Sequence, residues 1–206
     1  MPVIPDAPSK SQLYARHAPG VSKRLESATV GIAGLGGLGS NVAIALARSG
    51  IGRLILADFD RVEPSNLNRQ AYFVDQIGKL KTEALRETLE RVNPHVIFET
   101  HVVRIDAQNA ETLFAGVDVL VEALDRPEEK ALLLRAFSAA PIVAASGMAG
   151  YGPLDAIRIR KVGRRLHVVG DFESDAETLG VMAPRVGIVA HAQANLVLRL
   201  LMEGTP

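Results

Sequence analysis

A glycine-rich turn between two apolar segments constrains the fold more than any other feature of the sequence. The segment TVGIAG (29–34) is a short, β-branched run that ends in glycine, which is typical of a buried parallel strand. Gly34, Gly36 and Gly39 have GxGxxG spacing, and small apolar side chains at helical spacing follow them. A strand, a tight turn and a helix in this order predict the first unit of a doubly wound α/β domain.

The rest of the chain alternates between apolar runs and amphipathic patterns. Strand patterns lie at 53–58, 95–103, 117–125 and 141–147, and helical patterns lie at 11–18, 20–28, 78–94, 109–116, 127–140 and 183–204. Residues 154–162 and 165–171 alternate apolar and polar side chains around a Gly-Arg turn, which predicts an antiparallel pair. We therefore expect one Rossmann-like domain over residues 1–206. Its sheet is mainly parallel with an antiparallel edge extension, and residues 1–28 form an N-terminal arm.

Composition excludes several kinds of site and partner. The chain has no cysteine, which excludes disulfides, thiolate zinc ligands and a thioester intermediate. The five histidines show no zinc-ligand spacing, so no zinc is expected. Basic and acidic residues both number 23, so the net charge predicts neither a nucleic acid nor a membrane partner. The N-terminal sequence lacks a signal-peptide pattern, and we expect a cytoplasmic protein.

An acidic residue after the glycine turn predicts a nucleoside ligand. Asp58 ends the second predicted strand, at about the 20-residue spacing at which an acid binds ribose hydroxyls. Asp60 lies two residues further on. It could orient its neighbours, approach a metal or be a solvated turn acid. The turn and Asp58 together do not separate NAD from ATP.

Polar residues after the second strand favour a polyphosphate. Asn66, Arg69 and Gln70 share one face if their segment forms a helical turn. Arg69 offers a planar fork of donors, and Lys81 can add a second cation. Asp125, at the end of the fourth strand, is a candidate Mg²⁺ ligand. Two cations suit the charge that accumulates on a leaving pyrophosphate. An NAD-dependent oxidoreductase, the alternative, would leave them unused.

Several segments in order resemble the ThiF/MoeB/HesA family of ATP-dependent adenylyltransferases, which are related to ubiquitin-activating enzymes. These segments are GLGGLGS, ADFDRVEPSNLNRQ, GKLKTEAL, LVEALD and GVMAPRVGIVAHAQANLVLRLL, and the similarity runs from about residue 12 to 203. EALDRPEEKALL and ASGMAGYG are most similar to the short ThiF proteins. Those proteins activate the sulfur carrier ThiS for thiazole synthesis in the thiamine pathway. The alternative substrates within the family are a molybdopterin carrier, a peptide or a tRNA-linked group. A further alternative is a non-catalytic scaffold that keeps the nucleotide site only to recruit a carrier-like protein.

The resemblance implies roles for residues of this chain. The set expected to bind ATP is Gly34, Gly36, Gly37, Asp58, Asp60, Ser65, Asn66, Arg69, Gln70 and Lys81. The catalytic set is Arg16, Arg69, Lys81 and Asp125, with Asp125 on the magnesium ion. His17 and Arg126 depart from the family pattern, which has Gln and often Asn at these positions.

The resemblance also implies partners. The segment LYARH matches the family's N-terminal motif, so Arg16 would reach the site of the other subunit of a homodimer. The partner substrate would be a ubiquitin-like sulfur carrier such as ThiS. Because the chain has no cysteine, another protein would carry out sulfur transfer. Small residues at 146–153 could admit a Gly-Gly tail, and 172–182 could close over it or be a flexible loop.

Overall fold

The computed structural model describes residues 7–203, and strands alternate with helices in the predicted order. The strands are β1 (Thr29–Ala33), β2 (Arg53–Asp58), β3 (Ile97–Val102), β4 (Val119–Glu122), β5 (Ile142–Ala145), β6 (Arg158–Val162) and β7 (Leu166–Gly170). The α-helices are α1 (Lys10–Leu13), α2 (Val21–Glu26), α3 (Gly37–Ser49), α4 (Lys81–Val92), α5 (Ala110–Leu113), α6 (Pro127–Ala136), α7 (Ala176–Leu179) and α8 (Ala183–Glu203). Short 3₁₀ helices lie at Pro64–Asn66, Val74–Gln76 and Leu154–Ala156.

The strands form one sheet with the order β3-β2-β1-β4-β5-β7-β6. All neighbouring strands pair in parallel except β6, which pairs antiparallel with β7 at the edge. The predicted doubly wound sheet with an antiparallel edge extension is therefore confirmed. The strand order reverses between β1 and β4, and at such a switch point the carboxyl ends of the strands border an open crevice.

Helices cover both faces of the sheet, and successive residues of the central strands point to opposite faces. Leu54 and Leu56 of β2 pack in one apolar cluster with α3, α4 and α8. Ile55 and Ala57 pack in a second cluster with residues of α5 and α6. Burial on both faces explains why β2 reads as a nearly continuous apolar run.

The turn after β1 requires glycine at two positions. Gly34 has a φ of +88°, a conformation that L-residues with a side chain rarely adopt. A Cβ atom at Gly39 would lie 1.9 Å from the carbonyl oxygen of Gly34. The first turn of α3 can therefore approach β1 closely only because both residues lack a side chain.

Several elements are shorter than predicted because residues beside them make other hydrogen bonds. Residues 78–80 pair with residues 61–62 instead of extending α4, since Gly78 N–H donates to the Val62 carbonyl. β4 ends at Glu122, because the Glu122 carboxylate accepts the Leu124 N–H and turns the chain. Asp125 therefore lies in the turn after β4 and not on the strand.

The N-terminal arm packs at the amino ends of the strands, away from the glycine turn. Tyr14 is buried against Gly50, and its hydroxyl accepts a hydrogen bond of 2.7 Å from the Asn93 amide. Residues 1–6 of the predicted arm lie outside the described residues. Within residues 7–203, no helix is long and apolar enough to cross a membrane.

Candidate functional site

A cleft of about 290 Å³ lies at the carboxyl ends of β1, β2 and β4. It brings together most of the residues that the sequence predicts as a site. Those that line it are Gly34, Gly36, Gly37, Asp58, Asp60, Arg69, Gln70, Lys81 and Asp125. Residues from four separate parts of the sequence therefore converge on one crevice, at the switch point of the sheet.

Asp58 is held rigidly at the floor of the cleft. One carboxylate oxygen accepts the Leu35 N–H and the other accepts the Asp60 N–H, both at 2.7 Å. Burial raises the pKa of Asp58, although the Lys81 charge and the two backbone donors oppose the rise. Each oxygen retains a lone pair, so the fixed carboxylate can accept hydroxyl groups of a ligand.

Lys81, the first residue of α4, is paired with Asp60. Its buried ammonium lies 2.8 Å from Oδ2 of Asp60, and the backbone N–H of Lys81 donates to the Asp60 carbonyl. Of the three interpretations of Asp60 left open by the sequence, this geometry supports the orientation of a neighbour. The pair aims a positive charge at the cleft beside Asp58.

The first turn of α3 holds the segment that carries the other predicted cation. Ser40 Oγ donates to the Gly36 carbonyl at 2.6 Å and accepts the Ala71 N–H at 3.0 Å. Asn41 Nδ2 donates to the Arg69 carbonyl at 3.0 Å. These bonds fix the position of residues 69–71 relative to the glycine turn.

Arg69 and Gln70 line the cleft beside that turn. A Cβ atom on Gly37 would lie 3.5 Å from Cγ of Arg69, so the arginine stem packs along the turn. Gln70 is buried, and its Oε1 atom has no hydrogen-bond partner. This oxygen is therefore free to accept a hydrogen bond from a ligand or a water in the cleft.

Ser65 and Asn66 do not line the cleft. The side chain of Asn66 is buried, and its Oδ1 accepts the Glu63 N–H at 3.1 Å. This bond shapes the turn that leads to Arg69. The contacts of Ser65 and Asn66 with a ligand stay predictions.

Arg16 lies in the N-terminal arm, two residues after the buried Tyr14. Its side chain is exposed and does not line the cleft of its own chain. The arm packs at the amino ends of the strands and the cleft opens at their carboxyl ends. Arg16 is therefore at the opposite end of the sheet from Lys81 and Asp125 of the same chain.

Sequence reasoning missed an ion pair beside the cleft whose carboxylate is buried. The carboxylate of Glu122, at the end of β4, is fully buried, and burial raises its pKa while the Lys130 charge opposes the rise. The Lys130 ammonium lies 3.2 Å from Glu122 and 3.3 Å from the Ala145 carbonyl, and it lines the cleft. The sequence feature that could have indicated this pair is an acidic residue inside an otherwise apolar strand.

A second missed ion pair joins the loops after β5 and β7. Arg185 donates to Oδ2 of Asp171 and to the carbonyls of Gly152 and Pro153, each at 2.7 Å. Burial opposes the ionisation of Asp171, yet the N–H groups of Ser174 and Glu173 and the Arg185 guanidinium hold its pKa well below its ordinary value. The sequence feature that could have indicated this pair is an arginine near the start of the apolar helix α8.

These two loops are those in which the sequence predicts a groove and a lid. Gly150 N–H donates to the Gly180 carbonyl at 2.9 Å, so the two loops contact each other directly. Met148 from the first loop and Ala176 and Val181 from the second line the cleft. The loops therefore form one wall of the crevice, opposite the wall that carries Asp58.

Comparison with known proteins identifies the family. The ThiF family pattern matches residues 10–206. The chain belongs to the ThiF family. The molybdopterin-synthase adenylyltransferase of Salmonella typhimurium is 32% identical over 184 residues, which cover 86% of this chain and 74% of that protein. The adenylyltransferase and sulfurtransferase UBA4 of Candida glabrata is 31% identical over 188 residues, 87% of this chain and 43% of that one. This ThiF-family chain thus spans less than half the length of that relative.

Solved structures show the same fold. The tRNA N6-threonylcarbamoyladenosine dehydratase TcdA of E. coli, solved with ATP, superposes with a TM-score of 0.83 over 94% of this chain and 93% of that one, at 21% identity. MccB of E. coli, solved with AMPCPP and MccA, gives a TM-score of 0.70 over 89% and 58%, at 24% identity. At these identities the likeness establishes the architecture of this ThiF-family chain, and its substrates have to be argued from its own residues.

Proposed function

We propose that this chain adenylates the C-terminal carboxylate of a ThiS-like sulfur carrier with Mg-ATP, for the thiazole branch of thiamine synthesis. The observation that carries the adenylation is the meeting of two cations, Arg69 and Lys81, with Asp125 and a glycine turn in one cleft. A nicotinamide site has no use for these cations. The choice of a ThiS-like carrier rests on the resemblance to short ThiF proteins.

The cleft supplies a donor or acceptor for each part of the nucleotide. Asp58 accepts the ribose hydroxyls, because its carboxylate is fixed and faces the crevice. The N–H groups at the start of α3 attract phosphate. Arg69, Gln70 and Lys81 bind the triphosphate, and Ser65 and Asn66 are proposed contacts from the segment that precedes them.

The residues present fit a magnesium ion that is held mainly by the nucleotide. Among residues 7–203 no group of three acidic, histidine or cysteine side chains could hold a metal without further ligands. Mg²⁺ often needs only one or two carboxylates when phosphates supply the other oxygens. Asp125 is exposed at the cleft and offers such a carboxylate. Bound there, the ion would neutralise charge on the departing pyrophosphate.

In the proposed reaction a carboxylate oxygen of the carrier attacks the α-phosphorus of ATP. The bond from this phosphorus to the β-phosphate oxygen breaks, and the products are an acyl-adenylate and pyrophosphate. A carboxylate is already ionised at pH 7, so no side chain has to remove a proton. Arg69 and Lys81 offset the negative charge that grows on the leaving group.

The carrier tail is proposed to enter along the wall formed by residues 146–153 and 172–182. Small residues of the first loop leave room for an extended glycine tail close to Met148. Tyr151 and Leu179 are exposed beside this wall and offer an apolar surface for the body of the carrier. Because the chain has no cysteine, a separate protein would deliver sulfur to the adenylate.

The reaction predicts how pyrophosphate exchange responds to substitution. Arg69→Ala and Asp125→Ala should each lower ATP–pyrophosphate exchange about a hundred- to a thousandfold with an added ThiS-like carrier. The first removes a cation that offsets charge on the leaving pyrophosphate, and the second removes the proposed carboxylate ligand of the magnesium ion. Arg86→Ala, an exposed arginine on the outer face of α4, is the matched control and should keep full exchange. Mass spectrometry of the carrier should detect an added AMP. Normal exchange in both cleft variants would refute the roles assigned to Arg69 and Asp125. If AMP were found on a peptide or a tRNA-linked group and not on the carrier, the proposed substrate would be wrong.

We further propose a homodimer in which Arg16 completes the site of the other subunit. Its position at the far end of the sheet leaves it no route to the cleft of its own chain. Mixing Arg16→Ala with Lys81→Ala protein should restore part of the exchange that neither variant has separately, because a mixed dimer contains one intact composite site. No recovery in the mixture would contradict this arrangement.

A further inference from the structure

One end of the cleft carries an aromatic ring, a guanidinium group and a carboxylate in contact. Phe59 directly follows Asp58, and the guanidinium carbon of Arg104 lies 4.6 Å from the centroid of its ring. Nη1 of Arg104 lies 3.7 Å from Oε1 of Glu129, in the first turn of α6. All three residues line the cleft, and none belongs to the site predicted from sequence. We call them the base wall.

The base wall lies beyond Asp58, at the far end of the cleft from Arg69. Val103 and Ile105, on either side of Arg104, pack with the apolar cluster under α5 and α6. Leu38 and Val186, beside Arg69, pack with the cluster on the other face of the sheet. The cleft therefore runs across the carboxyl ends of the strands from one face of the sheet to the other, and Asp58 lies near its middle.

This placement assigns a part of the ligand to the base wall, and the assignment rests on the proposed function. With the ribose on Asp58 and the triphosphate at Arg69 and Lys81, the heterocyclic base extends over Phe59 and Arg104. Apolar side chains of Val103, Ile105 and Leu124 line the same end. A flat guanidinium braced by an aromatic ring is a surface on which a planar base stacks.

We propose that Glu129 selects the base by accepting a hydrogen bond from an amino group at position 6 of the purine. An ionised carboxylate only accepts hydrogen bonds, and the start of a helix such as α6 favours a negative charge. A 6-oxo purine would turn a carbonyl oxygen toward this carboxylate, and two acceptors that face each other form no hydrogen bond and repel. Arg104 packs on the Phe59 ring and lies 3.7 Å from Glu129, which holds the carboxylate beside the stacking surface.

The test compares ATP with inosine triphosphate, which differ at position 6. Calorimetry with the full chain and Mg²⁺ should give wild-type protein an affinity about tenfold to a hundredfold higher for ATP, the usual effect of one hydrogen bond to a charged group. Glu129→Gln should bring the two affinities within about threefold, because an amide also donates and so accepts either base. Glu128→Gln, one residue away in the same helical turn but outside the cleft lining, should keep the wild-type ratio.

A second variant separates stacking from selection. Arg104→Ala should weaken ATP and inosine triphosphate alike, by about two- to fivefold, since the lost stacking does not depend on position 6. Equal affinity of wild-type protein for the two nucleotides would overturn the role of Glu129, as would a ratio that Glu128→Gln changes as much as Glu129→Gln. Failure of wild-type protein to bind either nucleotide would instead overturn the proposed function.

Discussion

Two ion pairs, Asp60–Lys81 in the cleft lining and Asp171–Arg185 between the loops after β5 and β7, differ in how far water reaches them. In the Asp60–Lys81 pair the lysine side chain is 8% exposed but the aspartate side chain is 48% exposed. In the Asp171–Arg185 pair the exposed fractions are 9% and 4%. Both pairs are short and both border the loops or strand ends of the site, so the difference lies in solvation and not in distance.

This difference separates a charge that can serve a ligand from one that holds the scaffold. Because Asp60 is solvated, Lys81 can turn toward a phosphate while water satisfies the carboxylate. Arg185 instead donates to two backbone carbonyls and to Asp171 inside the protein. Losing its partner would leave a buried charge unpaired, which is costly. One pair is suited to exchange partners and the other fixes the wall against which the carrier tail would lie.

The largest expected effect is on stability, from matched substitutions in the two pairs. Asp171→Asn should lower the free energy of unfolding by about 3 to 5 kcal/mol, the usual result of breaking a buried pair. Asp60→Asn should lower it by only about 1 kcal/mol, because an exposed partner contributes little. Urea denaturation of both variants at pH 7 measures the two values. Equal losses would show that the solvation of the two pairs does not govern their contribution.

A smaller effect is expected in how the stability difference between wild type and Asp171→Asn changes with pH. The folded-state pKa of Asp171 lies below its ordinary value of 3.8, so its ionised form stabilises the fold at all pH values above 3.8. That contribution decreases as the pH falls through and below 3.8, where the unfolded chain takes up the proton first. The stability difference between wild type and Asp171→Asn should therefore shrink between pH 4 and pH 2.5.

The control for the acid series is the Asp60→Asn variant. No comparable shrinkage is expected there, since its difference from wild type at neutral pH is already small. Urea midpoints measured at closely spaced pH values follow both differences. A stability difference for Asp171→Asn that stays constant from pH 7 to pH 2.5 would contradict the role given to the buried pair.

Much of the fold follows from local patterns in the chain. The β-branched run before Gly34, the small-residue helix after it and the alternation through residues 154–171 predict elements that the structure contains. The ends of the elements are less predictable. α4 begins at Lys81 and not near residue 78, because residues 78–80 bond to residues 61–62 on a neighbouring turn. Such bonds depend on which segments meet in space.

The candidate site shows the same division. Residues within one motif or at a strand end, such as Asp58, Arg69 and Lys81, were found because parallel strands end at a common edge. Glu122 and Lys130, and likewise Asp171 and Arg185, were missed. Each pair joins two different elements of the fold, and the period of apolar residues within one element does not predict which charge of another element will lie against it.

The order of strands and helices, the glycine turn and the family could all be inferred from the amino-acid sequence. The element order and the turn depend on backbone sterics and on the period of apolar residues, both of which act over a few neighbouring positions. The family followed from the resemblance of several motifs in order. Only the tertiary structure decided which charges meet: Lys81 with Asp60, Arg185 with Asp171, and Arg104 with both Phe59 and Glu129. Packing sets the distances between these charges and decides how much water surrounds them. Distance and solvation together set how strongly each charge interacts and whether it can bind a ligand.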